Sequence, residues 1–172
     1  MNIRRVFFAV ASLSVVIVLL ALLLQPAAPA PGAVGQAAPP FHAVTLAGET
    51  RSLDDYRGQV VLLNVWATWC PPCLQEMPSM QALHAELSGR GLRIVAVSVD
   101  DPGSERVIAD FVRDQKLTFD ILHDPASAIL EQYRMTGLPE TFLISRDGRI
   151  LLRRYVADWM APENRAAVEA AL

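Results

Sequence analysis

Two apolar runs and the helix-spaced stretch between them constrain the fold of this chain more than any other feature. Val60-Val61-Leu62-Leu63-Asn64-Val65-Trp66-Ala67 is almost unbroken and rich in β-branched residues, the composition of a strand covered on both faces. Leu92 to Val99 repeats the pattern. Between them Leu74, Met77, Met80, Leu83 and Leu87 recur at helical spacing, and Gly89 and Gly91 stop the helix. Strand, helix and strand in succession form a βαβ unit, so the two strands are expected to be parallel with a right-handed crossover.

The rest of the chain adds to this unit. Asp100-Asp101-Pro102-Gly103 reads as a turn, and Ser104 as the cap of a helix with Val107, Ile108, Phe111 and Val112 on its apolar face. A short strand, Phe119 to Leu122, and a short helix, Ala126 to Tyr133, follow. Thr141–Ser145 and Arg149–Tyr155 flank Arg146-Asp147-Gly148, a hairpin signal, and Pro162 opens a last helix. The expected fold class is α/β, a mixed sheet with a parallel core and an antiparallel edge. Residues 41–172 suffice for one domain and not two.

The N-terminus has a different character. Val6 to Leu24 carries no charge and would form roughly 28 Å of helix, close to a bilayer core. Arg4 and Arg5 precede it, and no further Lys or Arg comes before Arg51, which places the N-terminus in the cytoplasm. The apolar run exceeds that of a cleaved signal peptide, and the best cleavage site, Ala28-Pro29-Ala30, is followed by Pro31. Residues 1–24 are therefore expected to be an uncleaved single-pass anchor. Residues 25–40, with five prolines and no charge, are expected to be a semi-rigid spacer. The anchor accounts for the positive mean hydropathy of +0.29. Beyond it, 13 basic and 18 acidic residues argue against nucleic acid or a polybasic grip on lipid.

The only cysteines, Cys70 and Cys73, stand where the first apolar strand hands over to the helix, in Trp69-Cys70-Pro71-Pro72-Cys73. A structural disulfide closing so short a loop contributes only about 2 kcal/mol, against about 4.7 for a 100-residue loop. Zinc needs four ligands, and His42, His84 and His123 are not spaced as a pair. Haem attachment needs His after the second Cys, where Leu74 stands. A redox dithiol fits best. The helix N-terminus favours a Cys70 thiolate, the exposed nucleophile, and Cys73 one turn inside can attack the mixed disulfide. Pro71 and Pro72 delete two N–H donors, which disfavours the thiolate and tilts the couple towards donating electrons.

Val65-Trp66-Ala67-Thr68-Trp69-Cys70-Pro71-Pro72-Cys73, the later Pro78 and Gly137-Leu138-Pro139-Glu140-Thr141-Phe142 together resemble the thioredoxin fold. More narrowly the chain is similar to the membrane-anchored TlpA/ResA/CcmG-type thioredoxins. The resemblance implies a mixed sheet with helices on both faces, carried by an N-terminal transmembrane helix. It implies a cis peptide before Pro139, with Leu138 and Pro139 facing the substrate strand, and a helix kinked at Pro78. Thioredoxin's buried Asp is replaced here by Asn64. Glu76, which matches a Glu of the anchored subfamily, is expected near the dithiol as proton acceptor for Cys73. Glu140 resembles a second acid of the cytochrome c maturation branch, or else sits on an exposed rim. Trp69, Pro71 and Pro72 are expected to line the substrate contact, Trp66 to be core and His84 an exposed helix residue.

The resemblance further implies a monomeric reductant of protein disulfides outside the cytoplasm. No cofactor or metal is needed beyond the Cys70–Cys73 pair. The implied partners are a disulfide-containing client such as the CxxCH segment of apocytochrome c and a membrane electron donor of DsbD/CcdA type. Reduction of a copper-site assembly protein, a general dithiol oxidase and a metallochaperone stay open. So does a peroxiredoxin-like peroxidase, although Ala67 stands where that chemistry needs Thr.

Overall fold

The computed structural model describes residues 8, 13, 14, 17–20 and 30–172. The anchor expected over 1–24 lies largely outside the described residues, among which no helix is long and apolar enough to cross a membrane. One sheet organises the domain. Its strands are β1 (His42–Thr45), β2 (Thr50–Ser52), β3 (Val60–Trp66), β4 (Leu92–Ser98), β5 (Asp120–His123), β6 (Glu140–Ile144) and β7 (Ile150–Tyr155), in the spatial order β2-β1-β5-β4-β3-β6-β7. The helices are α1 (Pro71–Leu87), α2 (Glu105–Asp114), α3 (Ala128–Gln132) and α4 (Pro162–Ala171).

The βαβ reading holds. β3 and β4 pair in parallel from Val60↔Leu92 to Trp66↔Ser98. Every residue of β3 is buried, and in β4 only Arg93 is exposed. β5 extends the parallel core beside β4, whereas β6 runs antiparallel to β3 and makes the expected hairpin with β7. The connection from α1 to β4 turns at Gly91, which adopts φ +100°, a conformation that favours glycine.

Several local expectations change. Ser104 precedes α2 without a side-chain capping bond. Ile108 is buried and Phe111 packs on Trp66 at 5.2 Å between ring centroids, but Val107 is exposed, because it lies about 100° round the helix from Ile108, on the side that faces water. His84 is half-buried, edge-on to Phe119 at 6.0 Å. The β1–β2 hairpin is absent from the sequence reading. Its strands have four and three residues, too short to show a period.

The described part of the expected spacer is bonded to the domain. Gly35 N–H donates to Ile150 O (2.8 Å), Ile150 N–H to Gln36 O (2.9 Å) and Ala38 N–H to Gly148 O (2.8 Å). Tyr133 Oη donates to Pro39 O at 2.7 Å. Residues 30–40 are thus a strap across the open edge at the start of β7. A segment poor in large apolar side chains can still dock through its main chain, since an edge strand offers unpaired N–H and C=O groups. Within the strap Gly32 is buried at φ +78°, where a Cβ would lie 2.5 Å from Tyr133 O.

Candidate active site

Cys70 sits at the N-cap of α1 in extended backbone, with Pro71 and Pro72 as the first two helical residues. It is disulfide-bonded to Cys73, with the two Cα atoms 5.3 Å apart. Neither proline has an N–H, and Leu74 N–H is already donated to Cys70 O at 3.2 Å, so the helix end offers the sulfur few donors. Cys73 is fully buried. Cys70, expected as the exposed nucleophile, retains only 5% of its surface, because the groove walls beside it cover the rest. The order of access is as expected, but the opening is small.

Cys70 lines an open groove of about 750 Å³ with Trp69, Pro71, Pro72 and Leu138. Trp69 is 65% exposed. The sequence reading did not foresee the opposite wall, which includes Leu130, Met135 and Thr136. These residues come from the α3 region, brought over the dithiol by the β5–α3 crossover, and nothing in their spacing marks them. The Leu138–Pro139 peptide is cis and Pro139 is buried behind Leu138.

A second unforeseen group holds the loop that enters the site. Asp100, only 2% exposed, accepts the Thr68 N–H (3.0 Å) and Thr68 Oγ1 (2.6 Å), and Ser98 Oγ donates to it at 2.6 Å. Placed just beyond β4, Asp100 pins the segment between β3 and Cys70. The only sequence signal was its position at the carboxyl end of a parallel strand, where loops of functional sites gather.

Glu76, one turn after Cys73, is 3% exposed on the sheet side of α1. Asn64 Nδ2 of β3 donates to its Oε1, the Ala157 N–H to its Oε2 (3.0 Å), and Thr141 Oγ1 of β6 lies 3.4 Å from Oε1. Burial pushes the carboxyl up to about 7, and the three donors only partly offset it. A group that changes charge near neutrality beside a dithiol is placed to exchange a proton with it.

Glu140 is neither an exposed rim residue nor an acid facing the dithiol. It is fully buried in an ion pair with Arg153 of β7, whose Nη2 donates to Oε2 at 3.0 Å. Side chains alternate along β6, so Thr141 shares a face with Glu76 while Glu140 turns to the other face with Phe142. There the Arg153 guanidinium lies 5.1 Å from the Phe142 ring and also donates to Gly32 O and Arg134 O. The other substrate-contact residues stand together at the groove or behind it; Glu140 does not join them. Among the described residues, no group of three His, Cys, Asp or Glu could hold a metal ion.

Residues 34–153 match the model of the AhpC/TSA family. The chain belongs to that family. Within it the chain falls among the thiol–disulfide oxidoreductases. It is 42% identical to ResA of Oceanobacillus iheyensis, called a thiol-disulfide oxidoreductase, over 68% of this chain and 62% of that protein. It is 41% identical to ResA of Geobacillus kaustophilus over 69% and 67%. The match thus spans about two thirds of these relatives. A Chlorobium tepidum structure assigned as thiol:disulfide interchange protein DsbE superposes with a TM-score of 0.73 at 30% identity, over 81% of this chain and 97% of that one. That likeness fixes the domain as a thioredoxin-like fold.

Proposed function

We propose that the protein reduces disulfides of other proteins outside the cytoplasm by dithiol exchange. In the forward reaction the Cys70 thiolate attacks one sulfur of the client disulfide. An S–S bond forms between Cys70 and the client, and the other client sulfur leaves as a thiolate that takes a proton from solvent. Cys73 then gives its proton to Glu76 and attacks Cys70 Sγ. The Cys70–Cys73 bond forms, and the second client sulfur leaves as a thiolate that takes up the proton Glu76 releases. Two electrons pass to the client and the protein is left oxidised.

The observation that carries this reading is the constellation around the dithiol. A helix-capping Cys70 lines an apolar groove, and a buried carboxyl that titrates near neutrality stands one turn behind Cys73. The direction rests on Pro71 and Pro72, which leave the Cys70 thiolate short of donors. Re-reduction requires a membrane donor, for which the DsbD/CcdA type is the reading, because the periplasm holds no reducing buffer. Residues 1–24 are read as the anchor that keeps the domain beside it. The client favoured is the CxxCH disulfide of apocytochrome c, a reading that rests on the family resemblance alone now that Glu140 is paired with Arg153.

A Cys73→Ser variant of the full chain, expressed in its membrane, tests this. Cys70 is expected to retain clients as mixed disulfides that mass spectrometry identifies. Apocytochrome c supports the favoured client, a copper-site assembly protein replaces it, and absence of any disulfide-linked protein sinks the reductase reading.

A further inference from the structure

The cradle around Glu76 consists of donors. Asn64 Nδ2 and the Ala157 N–H both point at the carboxyl, and the Thr141 hydroxyl, which itself accepts from Asn64 Nδ2 at 2.8 Å, is left to donate as well. This arrangement suits a carboxylate, which only accepts. It suits the carboxylic acid less well, because the one acceptor for its O–H is the Thr141 hydroxyl oxygen, a long 3.4 Å from Oε1 and already accepting from Asn64. A backbone N–H cannot reverse its polarity. A primary amide can, because a half-turn about its last bond exchanges donor for acceptor. Asn64 Oδ1 is fully buried and has no hydrogen-bond partner in the disulfide state.

We propose that Asn64 is a positioning residue whose side-chain amide turns when Glu76 takes the Cys73 proton, presenting Oδ1 to the new O–H. Thr141 Oγ1 then donates to the same oxygen, and Nδ2 occupies the place that Oδ1 leaves. One buried polar end is unpartnered in each orientation, Oδ1 before and Nδ2 after, so the two lie close in free energy and the proton decides between them. The inference rests on the assignment of Glu76 as proton acceptor.

Of the other titratable side chains on the elements around Glu76, His84 stands two turns further along α1, edge-on to Phe119, and the rest are engaged elsewhere. Glu140 of β6 is held by Arg153 of β7, Tyr155 by Thr136, Asp158 by the Met160 N–H, and Glu86 of α1 by Arg165. Asn64 is therefore the neighbour able to report the proton on Glu76.

The test uses the full-length protein in detergent, with 15N in its three asparagines, Asn2, Asn64 and Asn164, and 13C in its glutamate carboxyls. Between about pH 5 and about pH 9 the Asn64 amide signals are expected to follow the Glu76 carboxyl curve. Nuclear Overhauser contacts from the Nδ2 protons to the Thr141 methyl are expected above the midpoint and lost below it, and Glu76→Gln abolishes the change. Contacts that persist at every pH while Glu76 titrates overturn the proposal. In kinetics, Asn64→Leu removes both amide ends. A hydrogen bond to the charged form is the stronger of the two lost, so the pH midpoint of the resolution step should rise by about one unit, tenfold in proton affinity. An unmoved midpoint in folded Asn64→Leu also overturns it; should that variant not fold, the labelled wild-type titration decides. If Glu76→Gln leaves rate and pH profile unchanged, the proton-acceptor assignment fails instead.

Discussion

Glu76 carries a cost that pH can switch. Its carboxyl titrates near 4.5 in the unfolded chain and near 7 when folded. Between those values the folded state binds the extra proton, so stability falls as pH rises through that window. The full span amounts to about 3 kcal/mol, lost between about pH 5 and about pH 8. Urea unfolding of the oxidised protein at those two pH values is expected to show this drop, and Glu76→Gln to remove most of it. A slope that survives in Glu76→Gln would assign it to another group. At the helix end, replacing Pro71 and Pro72 with Ala restores two N–H donors. The Cys70 thiol should then titrate lower and the reduction potential should rise, measured against glutathione. The sequence displayed Cys70, Cys73 and Pro139 openly, because their chemistry lies in residue type and spacing. The partners of Glu76 were harder to read. Asn64 drew notice only as a substitution, and Ala157 contributes a main-chain N–H that no side chain advertises.

At the scale of elements, Arg153 of β7 ties β6 to β7 through Glu140 and adds a side-chain bond to the strap at Gly32 O. Arg153→Ala would leave Glu140 buried without a counter-charge, at a cost of about 3–5 kcal/mol in chemical denaturation. Combining it with Glu140→Gln should recover most of that loss, and an additive double variant would contradict the ion-pair account. The strap itself can be probed with two glycines. Gly32 and Gly35 both have positive φ, but a Cβ at Gly35 meets open space whereas one at Gly32 strikes Tyr133 O. Gly35→Ala should cost about 1 kcal/mol for backbone strain alone, and Gly32→Ala clearly more. The β3–α1–β4 unit was legible because long apolar runs have a period. The strap and the β1–β2 hairpin were not, since main-chain pairing and strands of three or four residues leave no pattern. The Glu140–Arg153 pair crosses a hairpin with a register shift between Leu143 and Ile144, which obscures which charges meet.

For the molecule as a whole, the strap changes how far the dithiol can reach. A free spacer over residues 25–40 would let the domain stray roughly 55 Å from the end of the apolar segment. With the strap beginning at residue 30, only five residues lie between Leu24 and it. However they are arranged, they cannot span more than roughly 20 Å. Under the membrane-anchored reading, the enzyme is moored rather than leashed. It patrols a shallow hemisphere no deeper than its own diameter above the lipid. Both its electron source and its oxidised clients would have to come to the bilayer surface to meet it.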